Sequence, residues 1–103
     1  MKPVVWTAID VNEAVFLQFP FTNEMEVGET IVSIQPFCSV ADGIDATPAL
    51  SMVGAPILQG GSFNVLQLVQ GRVAPVVYKF KLVATLSSGR KLARMGLLPV
   101  QDF

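Results

Sequence analysis

A chain of 103 residues, 51% apolar and only 15% charged where about 25% is usual, is expected to form one domain with more apolar side chains than its own core can hold. The absence of histidine and the single cysteine, Cys38, exclude the commonest general base, an internal disulfide and a Cys-rich zinc site. A formal net charge of −1 offers no global field for nucleic acid or an anionic membrane. No apolar run is long enough for a membrane-spanning helix or a signal peptide, so no membrane partner is expected and the chain reads as made in the cytoplasm.

Residues 1–10 read as an arm or a first short strand, and residues 11–103 as a single β-sandwich domain. Val, Phe, Thr and Ile are frequent, and Gly or Pro interrupts them every eight to twelve residues or so, the punctuation of an all-β sandwich or barrel. No apolar i, i+3, i+4, i+7 stripe survives free of Gly and Pro, so helices are expected as single turns at most.

Over residues 13–22, Val15, Leu17, Phe19 and Phe21 share one face and Phe16, Gln18 and Pro20 the other. Pro20 predicts an edge or a strand end, because proline cannot donate to a ladder. Val27-Gly28-Glu29-Thr30 predicts a turn opening a second strand. Over residues 30–40 apolar side chains lie on both faces, which predicts a central or sheet-covered strand. Asp42-Gly43 and Asp45-Ala46-Thr47-Pro48 form a loop, followed by two short apolar pieces at 50–53 and 56–59. Gly60-Gly61 marks a turn into a strand over 62–69, with Phe63, Val65 and Val69 opposite Leu66 and Leu68.

A loop through Gly71 and Pro75 leads to the best-patterned strand, 76–86, where Tyr78, Phe80, Leu82, Ala84 and Leu86 are expected to face the core. Ser87-Ser88-Gly89-Arg90 signals a tight hairpin, with 91–100 returning antiparallel. About seven strands with no crossover helices predict an all-β, immunoglobulin-like antiparallel β-sandwich without parallel pairing. Tyr78 fits either a core position or a tyrosine corner, while the cysteine pair and strand-buried Trp of antibody domains are absent.

Charge is segregated: residues 1–45 sum to −6 and residues 46–103 to +5, with no charge between Ala46 and Gly71. Two arrangements fit. Acidic and basic strands sit side by side and pair across the sheet, or the protomer has an acidic and a basic side on which copies meet head to tail in a ring. In the second, the uncharged middle supplies the dry part of the contact.

No catalytic constellation is evident. Glu24 with Glu26 and Asp42 with Asp45 read as solvated loop carboxylates, and Asp42-Gly43-Ile44-Asp45 lacks the spacing of a calcium loop. Gly60-Gly61-Ser62 and Ser88-Gly89 are not phosphate loops, and Cys38 reads as a buried, inert thiol. Arg72, Lys79, Lys81, Arg90, Lys91 and Arg94 would make a basic stripe, but no aromatic stacking platform accompanies it, so nucleic acid is not expected as a partner. No cofactor, metal or small-molecule substrate is expected.

The order of motifs, Val27-Gly28-Glu29-Thr30-Ile31-Val32-Ser33, a Gly, Ser and Pro-rich middle, Val77-Tyr78-Lys79-Phe80, then Thr85-Leu86-Ser87-Ser88-Gly89-Arg90, resembles the small immunoglobulin-like neck and tail proteins of tailed bacteriophages, the fiber-tail adaptor group. The resemblance spans roughly residues 10 to 100. It implies a non-enzymatic, multi-copy virion protein at the head-tail connector, neck or tail, partnered by other virion proteins and by copies of itself in a ring. Gly28 and Glu29 match the family's Gly-Glu turn, and Gly89 with Arg90 its last hairpin. Asp10-Val11-Asn12-Glu13 is only a partial counterpart of the family's opening segment.

Six positions stand out as turn or interface candidates: Trp6, Gly28, Glu29, Arg72, Gly89 and Arg90. Trp6 either anchors the arm on a neighbouring subunit or caps one end of its own core. Arg90 is placed to reach an acidic neighbour, with Glu29 a candidate. The alternative reading, from another class, is an adhesion or carbohydrate-binding module, since sandwiches commonly display ligand loops.

Overall fold

Strict alternation of burial along Val76–Leu86 organises the molecule. In the computed structural model, which describes residues 4–59 and 63–103, Val76, Tyr78, Phe80, Leu82, Ala84 and Leu86 all turn inward. The strands are β1 (Val4–Val5), β2 (Ile9–Asp10), β3 (Ala14–Pro20), β4 (Ile31–Asp42), β5 (Met52–Leu58), β6 (Asn64–Gln70), β7 (Val76–Leu86) and β8 (Lys91–Gln101). Among the described residues, helix is confined to single turns at Thr22–Glu24 and Pro48–Ser51. The turn expected at Gly60-Gly61 and the strand start at Ser62 lie outside the described residues.

Two sheets form, one in the order β1-β8-β7-β4 with β2 also on β8, the other β3-β6-β5. Leu17, Phe19, Val65 and Val69 from the smaller sheet pack against the inner residues of β7 and β8 to make one core. This is an immunoglobulin-like sandwich of eight strands, two of them only two residues long.

The expectation of purely antiparallel pairing fails at the chain's start. β1 and β2 run parallel to β8, Val4 beside Gly96 and Ile9 beside Val100. A crossover helix is needed only when parallel strands follow one another in sequence. Here the whole sandwich lies between the partners, so its strands make the connection.

The second expectation to fail concerns β4, which is an edge strand and not a central one. Its two apolar faces are explained differently: Ile34, Pro36, Cys38 and Val40 turn inward, while Val32 and Phe37 remain exposed, at 67% and 47%. A register shift between Ile31 and Ser33 puts Ile31 with the inward set despite its parity. The two pieces at 50–53 and 56–59 are largely one strand, β5, kinked between Val53 and Ile57 where Gly54 takes φ +71°. β3 is an edge, as Pro20 predicts.

Gln67, between Val65 and Val69 on the inner face of β6, is the polar exception. Its amide nitrogen donates to the carbonyls of Gly54 at 3.2 Å and Leu68 at 3.0 Å, tying the β5 kink to the core, and its Oε1 is buried without a partner. The kink gives this buried amide carbonyls to satisfy.

Candidate functional site

Where the β7–β8 hairpin meets the segment before β4, Gly28 and Gly89 adopt φ +87° and +92°, left-handed values that glycine accepts without steric cost. The turns set Glu29 facing Arg90. The guanidinium donates from both Nη2, to Oε1 at 2.6 Å, and Nε, to Oε2 at 3.0 Å, in the bidentate geometry that a planar fork permits. Ser88 donates its hydroxyl to the same carboxylate, and the Glu26 backbone N–H donates at 2.7 Å. Arg90 hydrogen bonds, with Ser88 and the Glu26 amide, hold the Glu29 carboxyl down at about 2 from 4.5. Ser87 N–H to the Thr30 carbonyl, 2.8 Å, and Thr30 N–H to Ser87 Oγ, 3.0 Å, close the junction.

At the opposite end Asp45 is not a solvated loop carboxylate: only 3% of its side chain is exposed. It accepts from the Tyr78 hydroxyl at 2.7 Å, the Thr47 N–H at 2.9 Å and Arg72 Nε at 3.5 Å. Arg72 also donates to Thr47 Oγ1 at 3.0 Å, locking the loop after β4 to the one before β7. The hydrogen bond from Tyr78 is the main cause of a lowered Asp45 carboxyl, and burial first, then Asp45, push the phenol up to about 12. Tyr78 is thus both a core ring and a tie to upstream chain: its hydroxyl donates to the Asp45 side chain and has a backbone hydrogen bond with Val73, five residues upstream.

Trp6 closes the core on its own domain. Its ring meets Phe19 edge-on with centroids 5.3 Å apart and fills the slot left by Gly96, where a Cβ would collide with the indole and come within 2.9 Å of the Val4 carbonyl. Gly96→Ala is therefore expected to dislodge the arm. Overpacking of this kind costs about 1–3 kcal/mol, and the fluorescence of the single tryptophan should shift red. An unshifted spectrum with unchanged stability would place Trp6 elsewhere.

Arg94, one of the six cations that could have formed a basic stripe, points inward instead. Its guanidinium lies 5.2 Å from the centroid of Phe21, donates to the Pro20 carbonyl at 3.2 Å and pairs with Glu24 at 2.8 Å. Together with Arg72–Asp45 and Arg90–Glu29, this pair joins the basic half of the chain to the acidic half inside one molecule. Three of those six cations are engaged this way.

Among the described residues, no cluster of His, Cys, Asp and Glu is arranged to hold a metal ion, and no helix is long and apolar enough to cross a membrane. Cys38 is half-buried. Because the Ser51 hydroxyl donates to the Pro48 carbonyl at 2.7 Å, the thiol is left to donate to Ser51 Oγ at 3.2 Å, and burial raises its pKa. A hollow of about 260 Å³ beside Gly43, Pro75 and Pro99 falls below the roughly 300–1,000 Å³ usual for ligand pockets.

The candidate site is accordingly a surface. On the outside of β3-β6-β5, register sets Phe16, Leu68 and Val53 in one row and Gln18, Leu66 and Ile57 in the next. Phe16 is 56% and Ile57 52% exposed, and none of the three seven-residue strands carries an ionisable side chain. The uncharged stretch was legible in sequence, but its gathering with β3 into one face depends on strand order. Compared with models of protein families, with curated proteins and with solved structures, the chain matches none.

Proposed function

We propose that this chain is a non-catalytic structural module used in several copies within a larger assembly, and that the assembly is a tailed-bacteriophage virion, at its neck or tail. The observation that carries the assembly reading is the uncharged, apolar outer face of β3-β6-β5, since contiguous exposed apolar surface marks contact sites. The phage setting rests on the motif resemblance alone: the Gly28-Glu29 turn and the Gly89-Arg90 hairpin that carry it meet in one ion-paired junction. Charge is not the adhesive in this proposal, because the pairs Arg72–Asp45, Arg90–Glu29 and Arg94–Glu24 consume much of it within the protomer.

A sugar-binding role draws no support from the one Tyr and the one Trp: the Tyr78 ring is buried and Trp6 packs on Phe19. Co-expression with the products of the flanking genes tests the reading. The chain is expected to co-purify with connector, tail or fiber proteins at a fixed multi-copy ratio. A chain that sediments as a monomer at every concentration and captures none of those proteins would overturn it.

A further inference from the structure

We infer that two copies of this chain pair through the outer face of the β3-β6-β5 sheet, packed face to face about a two-fold axis. The inference rests on the assembly reading and names its contact. A two-fold contact sets a surface against its own image, so an ionisable side chain near the axis meets its own sign. The strands of this face carry none. The outer face of the other sheet carries Lys79 and Lys81, outside the protomer's ion pairs, and would repel its copy. Only one of the two outer faces is therefore compatible with itself.

The edges point the same way. Among the described strands the open edges are β3, β4 and β5, which each hold a proline, Pro20, Pro36 and Pro56, and β1 and β2, which are only two residues long and so offer little ladder to an incoming strand. Proline has no N–H to give an incoming strand, so edge-to-edge addition is blunted and a partner must approach the face. Two twisted sheets stack this way at about −30°, as the two sheets of one sandwich do.

Area sets the strength. Three strands about 4.8 Å apart and seven residues long at about 3.4 Å each present a footprint of roughly 340 Å². That is short of the roughly 800 Å² per partner of a standard stable interface. Pairing is therefore weak in dilute solution and gains where an assembly raises the local concentration of copies.

Sedimentation velocity of the purified full chain, from micromolar to millimolar, tests this with Phe16→Glu, Ile57→Lys and, on the opposite sheet, Phe37→Glu. Wild type should show a concentration-dependent monomer–dimer equilibrium, weakened at least tenfold by Phe16→Glu or Ile57→Lys and unchanged by Phe37→Glu. Ile57→Lys lies on the other edge strand and decides the question if Phe16→Glu does not fold by circular dichroism. Association that ignores both substitutions overturns this face and leaves the assembly reading standing. So does a strictly monomeric wild type that still co-purifies with the flanking gene products. A monomer that captures nothing overturns both.

Discussion

Replacing Phe80 with alanine is expected to lower the free energy of unfolding by about 3–5 kcal/mol. The ring is 1% exposed on the inner face of β7, beside the Tyr78 ring at 6.3 Å. Its cross-strand neighbours are Cys38 on β4 and Gly96 on β8. Gly96 has no side chain with which to fill a void, and the indole over it is already wedged against Phe19, so the cavity cannot collapse. A domain of this size is stable by about 5–15 kcal/mol, so the loss would consume a large share. Lys81→Ala, one residue along and pointing outward, should change stability by no more than about 0.5 kcal/mol. Urea titrations of both variants, read as midpoint shifts at unchanged slope, check the contrast. Equal shifts would mean that the inner and outer faces of β7 have been assigned wrongly.

That contrast rests on a pattern legible in the residues themselves. β7 alternates because it is an inner strand of its sheet with one face dry, and a period of two reports that situation directly. β4 shows where period fails. Apolar residues on both faces resemble a buried strand, yet here the outer set, Val32 and Phe37, belongs to an open edge. Pro36 in mid-strand was the available signal, since a missing ladder donor is tolerated at an edge. β1 and β2 were not legible as parallel partners of β8 because two-residue strands have no period. Between them the Trp6 ring occupies the gap over Gly96, a fit that shows only in three dimensions. Of the polar supports, the Glu29–Arg90 pair could be named from its turns. Asp45 could not, because its burial depends on Tyr78 and Arg72 arriving from a loop distant in sequence. Phe16 and the β5–β6 apolar rows were visible separately, and only strand order unites them.

Glu29→Gln is expected to flatten the acid limb of the stability curve. The folded carboxyl sits at about 2 against an ordinary 4.5, so the unfolded chain binds its proton first as pH falls. A depressed carboxyl contributes stability that is fully present above 4.5 and is lost as pH drops from there toward 2. Glutamine keeps the shape but neither the charge nor its pull on the Arg90 fork. The variant should therefore be less stable than wild type at neutral pH, with the two curves drawing together below pH 4.5. Some slope must remain in the variant, since hydrogen bonds also lower the Asp45 and Asp10 carboxyls: the Tyr78 hydroxyl above all for Asp45, and the Phe103 N–H for Asp10. Asp45→Asn in the same background should remove a further part of it. Arg90→Lys should behave like Glu29→Gln at neutral pH, because an ammonium group cannot reproduce two parallel hydrogen bonds to one carboxylate. Denaturant titrations at a series of pH values between neutrality and the acid limit measure all of these. Parallel wild-type and Glu29→Gln curves throughout that range would show that the pair joining the β7–β8 hairpin to the β4 approach contributes nothing to holding the sandwich closed.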